Sequence, residues 1–156
     1  MSTVQTWQTD TTSSKSTEQL AEQIARNLKG GEIIELVSDL GGGKTTFVRG
    51  LARGIESADH VSSPTFKLSN EYNGKAMRLL HFDFYRLDEP GIMSDELAES
   101  LGQSDTVVVI EWADIVRGVL PDERLTIIFG HVGEDARHLH FSYPESLSYL
   151  LKGIAA

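Results

Sequence analysis

The sequence predicts an α/β fold of three layers, with a mixed, mostly parallel central sheet flanked by helices. Three observations lead there: helix-period and strand-like segments alternate along the chain, a run of β-branched residues stands mid-chain, and a glycine-rich stretch joins a strand pattern to a helix pattern. The length of 156 residues suits one compact domain with a single site.

Ser16 and Gln19 have capping-box spacing, and Leu20, Ile24 and Leu28 follow on one face, predicting a first helix that stops near Gly30 and Gly31. Residues 33–37 read as a short buried strand running into the glycines, and residues 44–53 as the helix beyond them, with Phe47, Val48 and Leu51 on one side. Residues 54–64 carry turn formers and predict a loop, with a strand starting at 65–68. Asn73-Gly74 signals a hairpin between 66–72 and 76–84. A helix is expected over 94–101 with Gly102 as its stop. Thr106 to Ile110 suits a central parallel strand covered on both faces. Two more strands at 125–129 and 139–143, joined around Gly133 to Asp135, precede a closing helix at 145–152. Order is expected throughout except in residues 1–12, which are rich in Ser and Thr.

Composition narrows the function. A net charge of −9 argues against this chain gripping nucleic acid by itself, because Lys and Arg neutralising phosphates supply most non-specific affinity. The chain has no cysteine, which removes disulfides, thiolate metal sites and cysteine nucleophiles and fits a reducing compartment; the cytoplasm is the expected location. The N-terminus has no basic and apolar regions of a secretory signal, and no apolar stretch approaches the roughly 20 residues of a membrane helix, so no membrane role is expected. The five histidines show no metal-ligand spacing with a carboxylate partner, so no zinc site is assigned.

The chemistry concentrates at Ser38-Asp39-Leu40-Gly41-Gly42-Gly43-Lys44-Thr45, which matches the P-loop pattern at every fixed position except the first, where Ser38 replaces Gly. Gly41, Gly42 and Gly43 let the backbone bend so that N–H groups face phosphate oxygens at a helix N-terminus. Lys44 supplies charge to the β and γ phosphates, Thr45 an oxygen ligand for Mg²⁺, and Thr46 a hydrogen bond to the α phosphate. Such a loop needs a carboxylate from a neighbouring strand, and Glu111 ends the apolar run 107–110, where ligands of open α/β sheets collect. Asp83, in His81-Phe82-Asp83-Phe84-Tyr85-Arg86, is the second acid. It can orient the attacking water or hold Mg²⁺ through water, with Arg86 neutralising developing charge, or it can form a structural pair with Arg86. Thr65 or Ser63, beside Pro64, stands where switch proteins sense a γ-phosphate, or the segment is an ordinary proline turn.

Four motifs in order, at 38–46, Ser-Pro-Thr-Phe at 63–66, His-Phe-Asp-Phe-Tyr-Arg-Leu at 81–87 and Glu-Trp at 111–112, together resemble the TsaE (YjeE) family of bacterial ATPases of tRNA threonylcarbamoyladenosine synthesis. The resemblance spans nearly the whole chain, through Gly118-Val119-Leu120-Pro121. It implies ATP and Mg²⁺ as cofactors, triphosphate and metal binding by Lys44, Thr45 and Thr46, Glu111 as the acidic metal residue, Asp83 assisting hydrolysis, and Trp112 packing near nucleotide or partner. It places adenine between the start of the chain, here near Ser14 to Thr17, and a turn near Gly133. It also implies a switch subunit that works with TsaB and TsaD and meets tRNA only through them. On its own the chain is expected to be a monomer. A small-molecule kinase and a nucleotide-gated binding module without chemistry are the rival readings, while a GTPase is disfavoured because no Asn-Lys-x-Asp element follows the loop.

Overall fold

The computed structural model describes residues 3–38, 43–62, 64, 69–84 and 91–154, apart from the side chains of 91–93 and 115. One seven-stranded sheet organises them. The strands are β1 (Val4–Thr11), β2 (Ile33–Val37), β3 (Ser69–Asn73), β4 (Arg78–Asp83), β5 (Thr106–Glu111), β6 (Leu125–His131) and β7 (Arg137–Pro144). Their order is β1-β7-β6-β2-β5-β4-β3. β6, β2, β5 and β4 pair in parallel, and β7 and β3 run against them at the flanks.

Helices cover both faces. α1 (Ser14–Ala25) and α2 (Lys44–Gly54) lie on one side, where Leu20, Ile24, Phe47, Val48 and Leu51 pack on Ile34, Leu36, Val109 and Ile127. α3 (Gly91–Ser100) and a 3₁₀ turn at Ala113–Val116 lie on the other, where Leu97, Val116 and Leu120 meet Ile33, Phe82, Val108 and Ile110. β5 is buried at all six positions, because apolar side chains of either parity find a layer to pack against.

Several expectations need correction. Residues 4–11, expected to lack order, form an eight-residue strand paired with β7 from Val4↔Pro144 to Thr11↔Arg137. The exposed Val4, Thr6, Gln8 and Asp10 alternate with Gln5, Trp7 and Thr9, which are half buried, and the Trp7 ring stands 5.1 Å from that of Phe141. Composition hid a period-two pattern that only a sheet edge could use. The first helix is capped by Ser13, not Ser16: Ser16 N donates to Ser13 Oγ at 3.1 Å and Ser13 N to Ser16 Oγ at 3.0 Å. That helix also ends at Ala25, well before Gly30. The hairpin expected at Asn73-Gly74 is present, β3 and β4 pairing antiparallel, with its turn one step later: Asn73 is the last residue of β3 and Gly74 N donates to Met77 O at 2.9 Å across 74–77, while Lys75 N ties the turn to Ile55 O at the end of α2 at 3.2 Å. The closing helix is a 3₁₀ helix, Glu145–Leu151, whose three-residue repeat brings the buried Leu147 and Leu150 onto one line. The strand start expected at 65–68 lies outside the described residues.

Candidate functional site

The parallel strands deliver their carboxyl ends to one edge of the sheet. β2 ends at Val37 and feeds the glycine stretch, β5 ends at Glu111, and β4 ends at Asp83. Register places Glu111 between Leu36 and Asp83. Asp83, Glu111 and Lys44 are all buried. Within the strand that feeds the loop, the buried Glu35 accepts from Arg124 Nε at 3.0 Å and pairs with Arg117 at 3.0 Å, fixing β2 to the residue that leads into β6 and to the turn beyond β5.

The loop is described at its two ends. Gly43 stands immediately before α2 with φ +95°, a left-handed conformation that glycine adopts without a Cβ penalty. Phe47 N then donates to Gly43 O at 3.0 Å, starting the helix. Asp39, Leu40, Gly41 and Gly42 lie outside the described residues, as do Ser63, Thr65 and Arg86. Thr45 and Thr46 occupy the first turn of α2 and are half buried.

Lys44 is held at three points. Its ammonium donates to Ser38 O at 3.1 Å, stands 3.4 Å from Glu111 Oε1, and lies 4.7 Å from the centre of the Trp112 ring. Trp112 reaches that position from a left-handed backbone, φ 57° and ψ 53°, uncommon for a bulky residue and costing on the order of 1 kcal/mol or more. The other carboxylate oxygen of Glu111 contacts His81 Nε2. Burial acts to raise the Glu111 carboxyl, but the His81 contact, with Lys44 adding to it, outweighs burial and holds the group below the ordinary carboxylate value. A carboxylate so placed is ionised at neutral pH.

The segments tied by resemblance to adenine come to the same edge. Thr11 pairs with Arg137, and Thr11 Oγ1 meets Thr17 Oγ1 at 2.6 Å, so the start of α1, with Ser14, is fixed beside β7. Arg137 Nη1 donates to the carbonyls of Gly133, Glu134 and Ala136 at 3.4, 3.1 and 2.9 Å, and a methyl group on Gly43 would stand 3.4 Å from Arg137 Nε. Two residues that sequence reasoning passed over, His81 and Arg137, therefore touch this region. His81 was legible in principle, since residues two apart in a strand share a face and His81 precedes Asp83 by two.

A strand, a glycine-rich loop and a helix, with a lysine opposite a carboxylate on the adjacent parallel strand, define a P-loop α/β protein. Residues 11–139 match the family model "Threonylcarbamoyl adenosine biosynthesis protein TsaE". The chain belongs to the TsaE family, which serves tRNA threonylcarbamoyladenosine biosynthesis. The TsaE protein of Bacillus subtilis is 35% identical over 133 residues, covering 85% of this chain and 82% of that one. That of Streptomyces coelicolor is 32% identical over 127 residues, covering 78% and 86%. The crystal structure of YdiB from Bacillus subtilis superposes with a TM-score of 0.76 at 31% identity, covering 97% of this chain and 95% of that one. Among the described residues, no helix is long and apolar enough to cross a membrane.

Proposed function

We propose that the chain is a Mg²⁺-dependent P-loop ATPase required for threonylcarbamoyladenosine modification of tRNA, acting in the cytoplasm as the switch subunit with TsaB and TsaD. The observation that carries this reading is the buried Lys44–Glu111 pair, 3.4 Å apart where β2 and β5 end. An ammonium poised for phosphate beside an ionised carboxylate is the arrangement that phosphoryl transfer to water requires.

Lys44 leaves the Ser38 carbonyl and the Glu111 carboxylate for the β and γ phosphates when nucleotide enters, exchanging one neutral and one anionic partner for more highly charged ones. The amides of 41–43 complete the phosphate cradle at the N-terminus of α2. Thr45 and Glu111 are hard oxygen donors that fit Mg²⁺, an ion that takes one or two protein ligands and draws the rest from phosphate and water. Bound there, Mg²⁺ would neutralise charge on the β and γ phosphates. Asp83, one strand from Glu111, orients the attacking water, and Thr65 senses the γ-phosphate. Ser14 and Gly133 flank the adenine. The net charge of −9 leaves tRNA to the partner proteins.

The test is hydrolysis of γ-labelled ATP by the purified monomer, alone and with TsaB and TsaD, beside Lys44→Ala. Slow release of phosphate to water, stimulated by the partners and absent in the variant, is expected. Normal turnover by Lys44→Ala would end this reading, and transfer of label to a metabolite would make the protein a kinase instead.

A further inference from the structure

The histidine of β4 has no task in the scheme above, yet its surroundings are unusual. His81 is fully buried in the second strand of the hairpin, with Val109 of β5 as register partner. Its Nε2 meets Glu111 Oε2, while its Nδ1 has no hydrogen-bond partner among the described residues. A buried imidazole with one nitrogen unsatisfied is a poor choice for packing alone, because an apolar side chain would avoid that cost.

We propose that His81 is a positioning residue that holds Glu111 for its metal, so that the two carboxylate oxygens have separate duties. Donation from Nε2 fixes Oε2 and hence the plane of the carboxylate. Oε1 faces Lys44 in the nucleotide-free state. When phosphate draws Lys44 away, Oε1 loses its cation and the carboxylate would be free to turn about its last bond. The His81 contact prevents that turn and presents Oε1 to the incoming ion without a reorganisation step. An outer-shell imidazole of this kind changes metal affinity or activity by about 10- to 100-fold when removed. The inference rests on the proposed role of Glu111 as metal residue.

The experiment compares wild type with His81→Gln, His81→Asn and His81→Leu by titration calorimetry of ATP with and without Mg²⁺, with thermal melts as a folding check. Gln can set an N–H donor where Nε2 stands; Asn, one carbon shorter, cannot. We expect the Mg²⁺-dependent gain in ATP affinity to fall about 10-fold or more in the Asn and Leu variants and to recover in Gln, with Mg²⁺-free affinity within about twofold throughout. If a folded Leu variant keeps the full Mg²⁺ gain, or Gln fails alongside Asn, His81 does not position the carboxylate. If wild type itself binds no Mg-ATP, the proposed ATPase fails first, so the two failures are distinguishable.

Discussion

Asp83 and Glu111 are register partners at the ends of two adjacent parallel strands, and each is only 4% exposed. Two buried carboxylates one strand apart divide between binding a cation and directing a water only if their surroundings differ. Glu111 has Lys44 and His81 against it; Asp83 stands one strand farther from β2. Glu111→Gln and Asp83→Asn should each lower single-turnover phosphate release about 100-fold or more, while binding ATP in the absence of Mg²⁺. The double variant should lose much less than the product of the two, since in the proposed ATPase both serve one step. Full additivity would separate their roles.

The Glu111 carboxylate should also stabilise the metal-free fold. Its folded pKa lies below its unfolded value, so its contribution is complete above the ordinary carboxylate value of 4.5 and is lost as pH falls through the lowered folded value. Urea titrations at several pH values should find Glu111→Gln less stable by about 2 kcal/mol at neutral pH, with the gap closing in acid. A pH-independent gap would contradict the ionic origin.

The contact between α1 and α2 depends on a missing side chain. A Cβ at Gly50 would stand 2.2 Å from Glu18 O and 2.7 Å from Ala21 Cβ, both on α1. Gly50→Ala should therefore cost roughly 1–3 kcal/mol in chemical denaturation, although alanine is the better helix former.

Tyr149 closes the opposite end of the sheet from the loop. Its hydroxyl donates to Glu32 Oε2 at 2.6 Å, and Glu32 also accepts from the amides of Lys29 and Gly30 at 2.7 and 2.8 Å. Burial and the Glu32 charge raise the Tyr149 pKa well above that of a free tyrosine. Its stabilisation is complete below the unfolded tyrosine value and is lost as pH rises through the folded one. Tyr149→Phe should lose about 1–2 kcal/mol at neutral pH, and a spectrophotometric titration should find one tyrosine ionising late in wild type and absent from the variant.

By itself the sequence determined the strand–loop–helix order around Gly43 and Lys44, the buried run ending in Glu111, and the alternation that makes the sheet, because each is written in local spacing and residue type. It also carried enough ordered motifs to reveal the family. Tertiary structure decided what depends on pairing across the chain. β1 exists because β7 offers it an edge, though its residues are mostly polar. His81 reaches Glu111 only because β4 and β5 align in parallel, 30 residues apart in sequence. Arg137 comes to Gly43 through the antiparallel return of β7. Local propensity reports what a segment prefers; long-range register decides which side chains meet, and no window along the chain contains that register.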